Sequence, residues 1–222
     1  MRFRLVYAGE LKSSQRDPTS TQPDKLAEHK QEIRKVFHRQ LKQLWKTNKF
    51  LREHRVYPRT ISFSPAEQAQ QAGTWGGGPD TRISMSEAFA SDYQENGYRF
   101  VPLVQEKFSL SCTLDILFLR RDMPGSVISA GDLDNRIKTL IDALRRPQSK
   151  NELRGNETPK KDEEPFYCLL EDDKLVTKLS VETDNLLDPS MSNSDESRRQ
   201  VHLIITVELK PYDVTMFNLS FS

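Results

Sequence analysis

Cysteine is almost absent from this sequence. Its two, Cys112 and Cys168 among 222 residues, are too few for a disulfide framework, and neither has a second ligand at metal-binding spacing. Long apolar runs are missing as well: nothing approaches the roughly 18 residues of a membrane span. The opening MRFRLVYAGE sets Arg2 and Arg4 among apolar residues and then meets Gly9 and Glu10, unlike a cleavable leader. These absences lead to the expectation of a cytoplasmic protein, neither anchored nor secreted. Apolar residues are scarce, at 36% with nine glycines besides, against ~45–50% in an ordinary globular chain. One core with much solvated loop is expected. Charge of one sign is lacking too, since Lys+Arg 33 and Asp+Glu 32 leave +1. Contact with nucleic acid must therefore come from local patches. The four histidines, His29, His38, His54 and His202, show no zinc spacing. The glycine run at 76–78 lacks the Gly-Lys-Ser/Thr ending of a phosphate loop, and no nucleophilic Ser or Cys motif occurs.

At ~150 residues per domain the chain reads as one domain over 1–222. Residues 2–8, rich in strand formers, predict a first strand. From Lys25 to Leu51 apolar residues including Ile33, Phe37, Leu41 and Trp45 recur at helical spacing, which predicts one amphipathic helix capped by Thr21 or Asp24. Its other face carries Lys30, Arg34, Lys35, Arg39, Lys42 and Lys46, a solvated surface or one that faces phosphates. Residues 64–96 lose all periodicity and read as an insertion. Strict alternation from Phe108 to Phe118 predicts a half-buried strand. The segment GDLDNRIKTLIDAL puts Leu133, Ile137, Leu140, Ile141 and Leu144 on a second helical stripe. A charged, patternless stretch follows to 165. Alternation at 175–181 and 201–209 predicts two more strands. The order strand, helix, strand, helix, strand, strand makes the fold class α+β, or α/β-like, with a small mixed sheet and packed helices.

Asp132, Asp134 and Asn135 open the second helix, and Glu171, Asp172 and Asp173 precede the third strand. If the two acidic clusters converge at one rim of the sheet, their oxygens suit a hard divalent cation, which would offset the mutual repulsion of the carboxylates far better than a helix end can. Lys138 stands one turn beyond Asp134 on the same side, where it can face a phosphate. The plainer alternative is helix capping, which Asp at these positions does very often. An EF-hand is excluded, because Arg136 and Ile137 replace the ligand and glycine it requires.

The run Asp132-Leu133-Asp134-Asn135, then Lys138, then Asp142-Ala143-Leu144, with Asp172-Asp173 before a strand, resembles the signature of the RusA family of Holliday junction resolvases. The resemblance spans roughly residues 100–210, with 64–96 and 145–168 as insertions and Leu175 where the family often has Gln. It implies that Asp132, Asp134 and Asp173 are catalytic carboxylates binding Mg²⁺, with Mn²⁺ as a substitute, and that Lys138 is the essential basic residue. It also implies a homodimer that cuts branched, four-way DNA. Arg136, Lys42 and Lys46 are the candidates for holding the DNA backbone. Two other classes stay open: a noncatalytic nucleic-acid-binding module acting in a larger assembly, and an Asp-x-Asp glycosyltransferase, which size and the missing nucleotide fold disfavour.

Overall fold

In the computed structural model, residues 1–13, 24–56, 82–121, 132–187, 200–215 and 218–221 are described. The Thr21 cap and most of the 64–96 insertion lie outside them. A four-stranded sheet forms the centre. Strand β1 (Arg2–Glu10) pairs antiparallel with β9 (Gln200–Pro211), β9 pairs antiparallel with β6 (Leu110–Arg120), and β6 pairs in parallel with β8 (Val176–Asn185). Alternation explains the burial. Leu5 and Tyr7, Leu203 and Ile205, and Leu114 and Ile116 turn to one face and are buried, while Arg2, Arg4 and Val6 of β1 point to the other and are exposed.

Helix α1 (Ala27–Thr47) lays Ile33, Phe37, Leu41 and Trp45, each four residues from the last, into the core beneath that face. The expected single helix to Leu51 is in fact two. At Asn48 the backbone turns extended, with φ −71° and ψ 119°, and the Asn48 side chain accepts from the Leu51 N–H at 3.1 Å, so it caps a new short helix, α2 (Lys49–Glu53). Asp24 does serve the start of α1, though from two residues ahead: its Oδ1 accepts from Leu26 N–H at 2.9 Å and its carbonyl from Ala27 N–H at 3.2 Å.

The described part of the supposed insertion is ordered core. Beyond the two-residue strands β2 (Arg55–Val56) and β3 (Ile83–Ser84), helix α3 (Met85–Asp92) begins on a Ser84 side-chain cap. It buries Met85, Phe89 and Ala90. At eight residues it is too short for its period to stand out. A tight turn at Asn96 and Gly97, both at positive φ, joins β4 (Gln94–Glu95) to β5 (Tyr98–Val104). Such a turn favours these residue types because both central positions are left-handed. Strand β5 pairs in parallel with β7 (Phe166–Leu170). Both are apolar nearly throughout, as parallel strands covered on both faces are, and so lack the alternation that betrays a half-exposed strand.

Helix α4 (Asp132–Leu144) packs on α1 through the predicted stripe, with Ile137, Leu140 and Leu144 buried and Leu133 and Ile141 partly so. The fold is thus α+β, with the six expected elements in their expected order and others between them. No helix among the described residues is long and apolar enough to cross a membrane.

Candidate active site

Asp132 supplies the first residue of α4; its side chain lies outside the described residues. Asp134 and Lys138 are both exposed on that helix, and neither makes a hydrogen bond or ion pair with another described residue. Asp142 is next at the same four-residue spacing, so the three share one side of α4. Asp142 is engaged: its Oδ2 accepts from Lys30 Nζ at 2.6 Å and its Oδ1 from Arg145 Nη2 at 3.4 Å.

The second acidic cluster sits on the turn between β7 and β8. Asp172 Oδ1 accepts from Lys174 N–H at 3.0 Å, which folds residues 173–175 into one 3₁₀ turn. That bond holds the Asp172 carboxyl below the usual carboxylate range. Asp173 moves the other way. Partial burial of its carboxyl raises its proton affinity first, the hydrogen bond shared with Asp172 adds to this, and Arg145 opposes it. Two carboxylates pressed together cannot both ionise freely. Gln148 Nε2 ties the turn down by donating to the Glu171 carbonyl at 3.1 Å.

The turn is held near α4 by backbone bonds at the end of that helix: Arg146 N–H donates to the Leu170 carbonyl at 2.9 Å, and Arg145 bridges to Leu170. Among the described residues, Asp173 feels the charge of Asp142 on α4 and of Arg145 just beyond its end. Asp134 lies two turns back along the helix from Asp142, about 12 Å at 1.5 Å per residue. The acid pair is thus brought beside the carboxyl-terminal half of α4. Among the described residues no three Asp, Glu, His or Cys groups stand together as a metal cluster.

Beneath this surface lies a charge network that pattern reading placed in solvent. Lys30 and Arg34, both assigned to the exposed basic face of α1, are buried at 4% and 1% relative exposure. Lys30 binds Asp142 and, at 2.8 Å, Asp24. Arg34 donates to the Asp142 carbonyl at 2.8 Å and pairs with Glu152 at 3.2 Å. Glu152 also takes both terminal nitrogens of Arg145, at 3.1 and 3.3 Å. Burial works against the Arg145 charge, but Glu152 and Asp142 outweigh it and raise its pKa. Three cations thus meet three acids between α1, α4 and the 145–165 connection. No sequence signal links residues about 110 positions apart; only the Asp142–Arg145 spacing of three was visible.

The other proposed DNA contacts are divided. Arg136 donates to the Leu11 carbonyl, and Lys42 to the Asp162 carbonyl at 2.6 Å, while Lys46 is exposed. Lys42, Lys46, Arg39 and Lys49 still form a basic strip on the outer side of α1 and α2, with Lys160 and Lys161 on the connection that Lys42 touches. A cleft of about 370 Å³ between β1, α1 and that connection is lined by Tyr7, Glu32, Lys35, His38, Arg39 and Lys160, among others. None of the candidate acids lines it. Comparison with known proteins returned no matching family model, no similar curated protein and no similar solved structure.

Proposed function

We propose that this chain is a Mg²⁺-dependent, structure-selective DNA endonuclease acting on four-way junctions. The observation that supports it is an uncovered acid and lysine on one side of α4 together with a crowded acid pair on the turn bonded to the end of that helix. The RusA-like order of these residues supports the same reading. The donor set fits the ion in kind, since carboxylate oxygens suit a hard cation and a crowded pair is relieved by one. The RusA-like order assigns it to Asp132, Asp134 and Asp173, with Asp173 on the turn that meets the other end of α4. Once bound, Mg²⁺ supplies a polarised water and stabilises charge at the leaving oxygen. The chain's own residues do the rest. Lys138 neutralises charge growing on the phosphate oxygens. Lys42 and Lys46 hold the backbone and fix register without reading bases. Symmetric cutting of a four-way junction needs two such sites related by a two-fold axis, hence a homodimer.

A labelled four-way junction incubated with and without Mg²⁺ tests the reading. Wild type should release paired linear products only with the metal, or with Mn²⁺. Asp134→Asn and Asp173→Asn should each abolish release while keeping junction binding in a gel-shift assay. A wild type that leaves the junction intact overturns the reading, and full cleavage by both variants removes this site. A second reading, a noncatalytic nucleic-acid-binding module, draws on the lack of a three-ligand cluster among the described residues. It predicts binding without cleavage in the same assay.

A further inference from the structure

Strand β8 is an edge. Among the described residues it pairs with β6 alone, and no other described element packs along it to a comparable extent. Leu186 N–H donates to the Arg120 carbonyl at 2.8 Å, which fixes the parity of the parallel ladder. Beyond the register shift opposite Cys112 and Thr113, even-numbered residues turn their N–H and C=O groups to β6, so Leu179, Val181 and Thr183 present theirs to the open side. A row of unpaired backbone groups is a template for another strand. The side chains along the row are unusual for an edge. Leu179 is 42% exposed, although its neighbour across the ladder, Leu114, is fully buried. Lys178 has only a loose, solvated contact with Asp115 at 3.7 Å, and Glu182 is exposed without a partner among the described residues.

Laid antiparallel against a second copy of itself, this strand is self-complementary about one residue. With Ser180 on the two-fold axis, Lys178 stands opposite Glu182 of the other copy, and Glu182 opposite its Lys178. Leu179 meets Val181 twice. The outward parity is satisfied as well, because odd residues pair with odd and exchange their hydrogen bonds. Neighbouring registers are worse. An axis at Lys178 or Glu182 sets like charge on like, one at Leu179 leaves Lys178 against Ser180, and one at Val181 pairs Lys178 with Asp184 but leaves Glu182 against Ser180 and Leu179 against Thr183. Opposite charges and apolar pairs directly across a ladder stabilise it, and like charges do the reverse.

We infer that β8 is a self-association surface at which two copies of this chain pair antiparallel about Ser180, joining their sheets into one eight-stranded sheet. The inference deepens the homodimer of the nuclease reading by naming its surface, but it stands on the strand edge alone. Pairing of a single 10-residue strand is a small interface beside the roughly 1,200–2,000 Å² of a standard one, so the association should depend on concentration.

Sedimentation velocity on the full chain should show the mass rising from 25.7 kDa towards twice that value with concentration. Lys178→Glu, and separately Glu182→Lys, should weaken association by about tenfold or more, since two attractive pairs become repulsive. The combined Lys178→Glu and Glu182→Lys exchange should restore it. Both positions are exposed, and an unchanged circular dichroism melt for each variant confirms that folding is not the cause. Ser180→Cys should cross-link into a covalent dimer under a copper–phenanthroline oxidant, because non-hydrogen-bonded antiparallel neighbours place their Cα atoms about 4.5 Å apart, while the native Cys112 and Cys168 are buried. A mass fixed at 25.7 kDa, association untouched by either reversal, no rescue by the exchange, or no cross-link overturns the inference. None of these measurements reads cleavage, so they stand or fall apart from the nuclease assay.

Discussion

Lys30 is held at 2.6 and 2.8 Å by two carboxylates in a region almost closed to water. Breaking a buried pair by removing one partner leaves a charge uncompensated. Lys30→Met should therefore lower stability by roughly 3 kcal/mol, at the low end of that range because Arg145 still faces Asp142; urea unfolding monitored by circular dichroism measures it. His38 offers a second test. Its Nδ1 accepts from Tyr167 N–H at 2.8 Å, and its other nitrogen lies 3.2 Å from the Asp162 carbonyl, so the ring is neutral with its proton on Nε2. Burial lowers its pKa first of all. A depressed folded-state value means that the stability His38 contributes is complete above the unfolded value of about 6.5 and is lost as pH falls through the folded one. His29, lowered by burial and by Lys12, acts in the same sense. Melting temperatures taken from neutral to mildly acidic pH should fall, and His38→Gln should fall less steeply than wild type. An identical slope would show that His38 carries none of the effect. Neither role was legible from sequence. A lysine on a helix reads as solvated unless the residues it meets are known, and of the two here Asp24 lies ahead of the helix and Asp142 112 positions away.

At the scale of elements, the outer strip of α1 and α2 is what remains of the basic face once Lys30, Arg34 and the paired Lys35 are removed from it. Reversing Lys42 and Lys46 to Glu should weaken junction binding and reduce its salt dependence by a slope of ~0.9 for each phosphate no longer neutralised. Fluorescence anisotropy at several salt concentrations reads this directly, and an unchanged slope assigns the strip to solvent. Both side chains lie off the buried stripe, so the helix should still form. The elements that were legible are mostly those whose two faces meet different surroundings: β1, β9, α1 and α4 alternate or recur because much of one side faces water, while β6 alternates in residue type although its Ser111 and Thr113 are buried too. Those missed had no such contrast. Strands β5 and β7 are apolar on both faces, and α3 is eight residues long. The break at Asn48 was also unseen, because the apolar spacing of α1 runs through it while the local Asn side chain diverts the backbone. For the site, acids and lysine were legible as a motif. Their distances were not, since the angle at which the β7–β8 turn meets α4 is set by Leu170 bonding to Arg145 and Arg146.

Over the whole molecule, the connection from 145 to 165 is a strap rather than a loose insertion. Glu152 joins Arg34 to Arg145, Asn156 accepts from Lys35 at 2.7 Å and from the Tyr98 hydroxyl through its carbonyl at 2.9 Å, and Leu153 is buried. It binds the α1 side of the molecule to the strands that carry the acid pair. The sheet order has a different outcome, in time rather than space. Strand β9 is the last strand in sequence but lies inside the sheet, between β1 and β6. As the chain leaves the ribosome, β1 can bond to Gln40 of α1 through Val6, but among the described strands it has no partner until nearly two hundred further residues have been made, and β6 must wait with one edge open. The sheet of four therefore cannot be completed until β9 has been made, and until then both β1 and β6 carry an open edge of the kind that templates unwanted pairing.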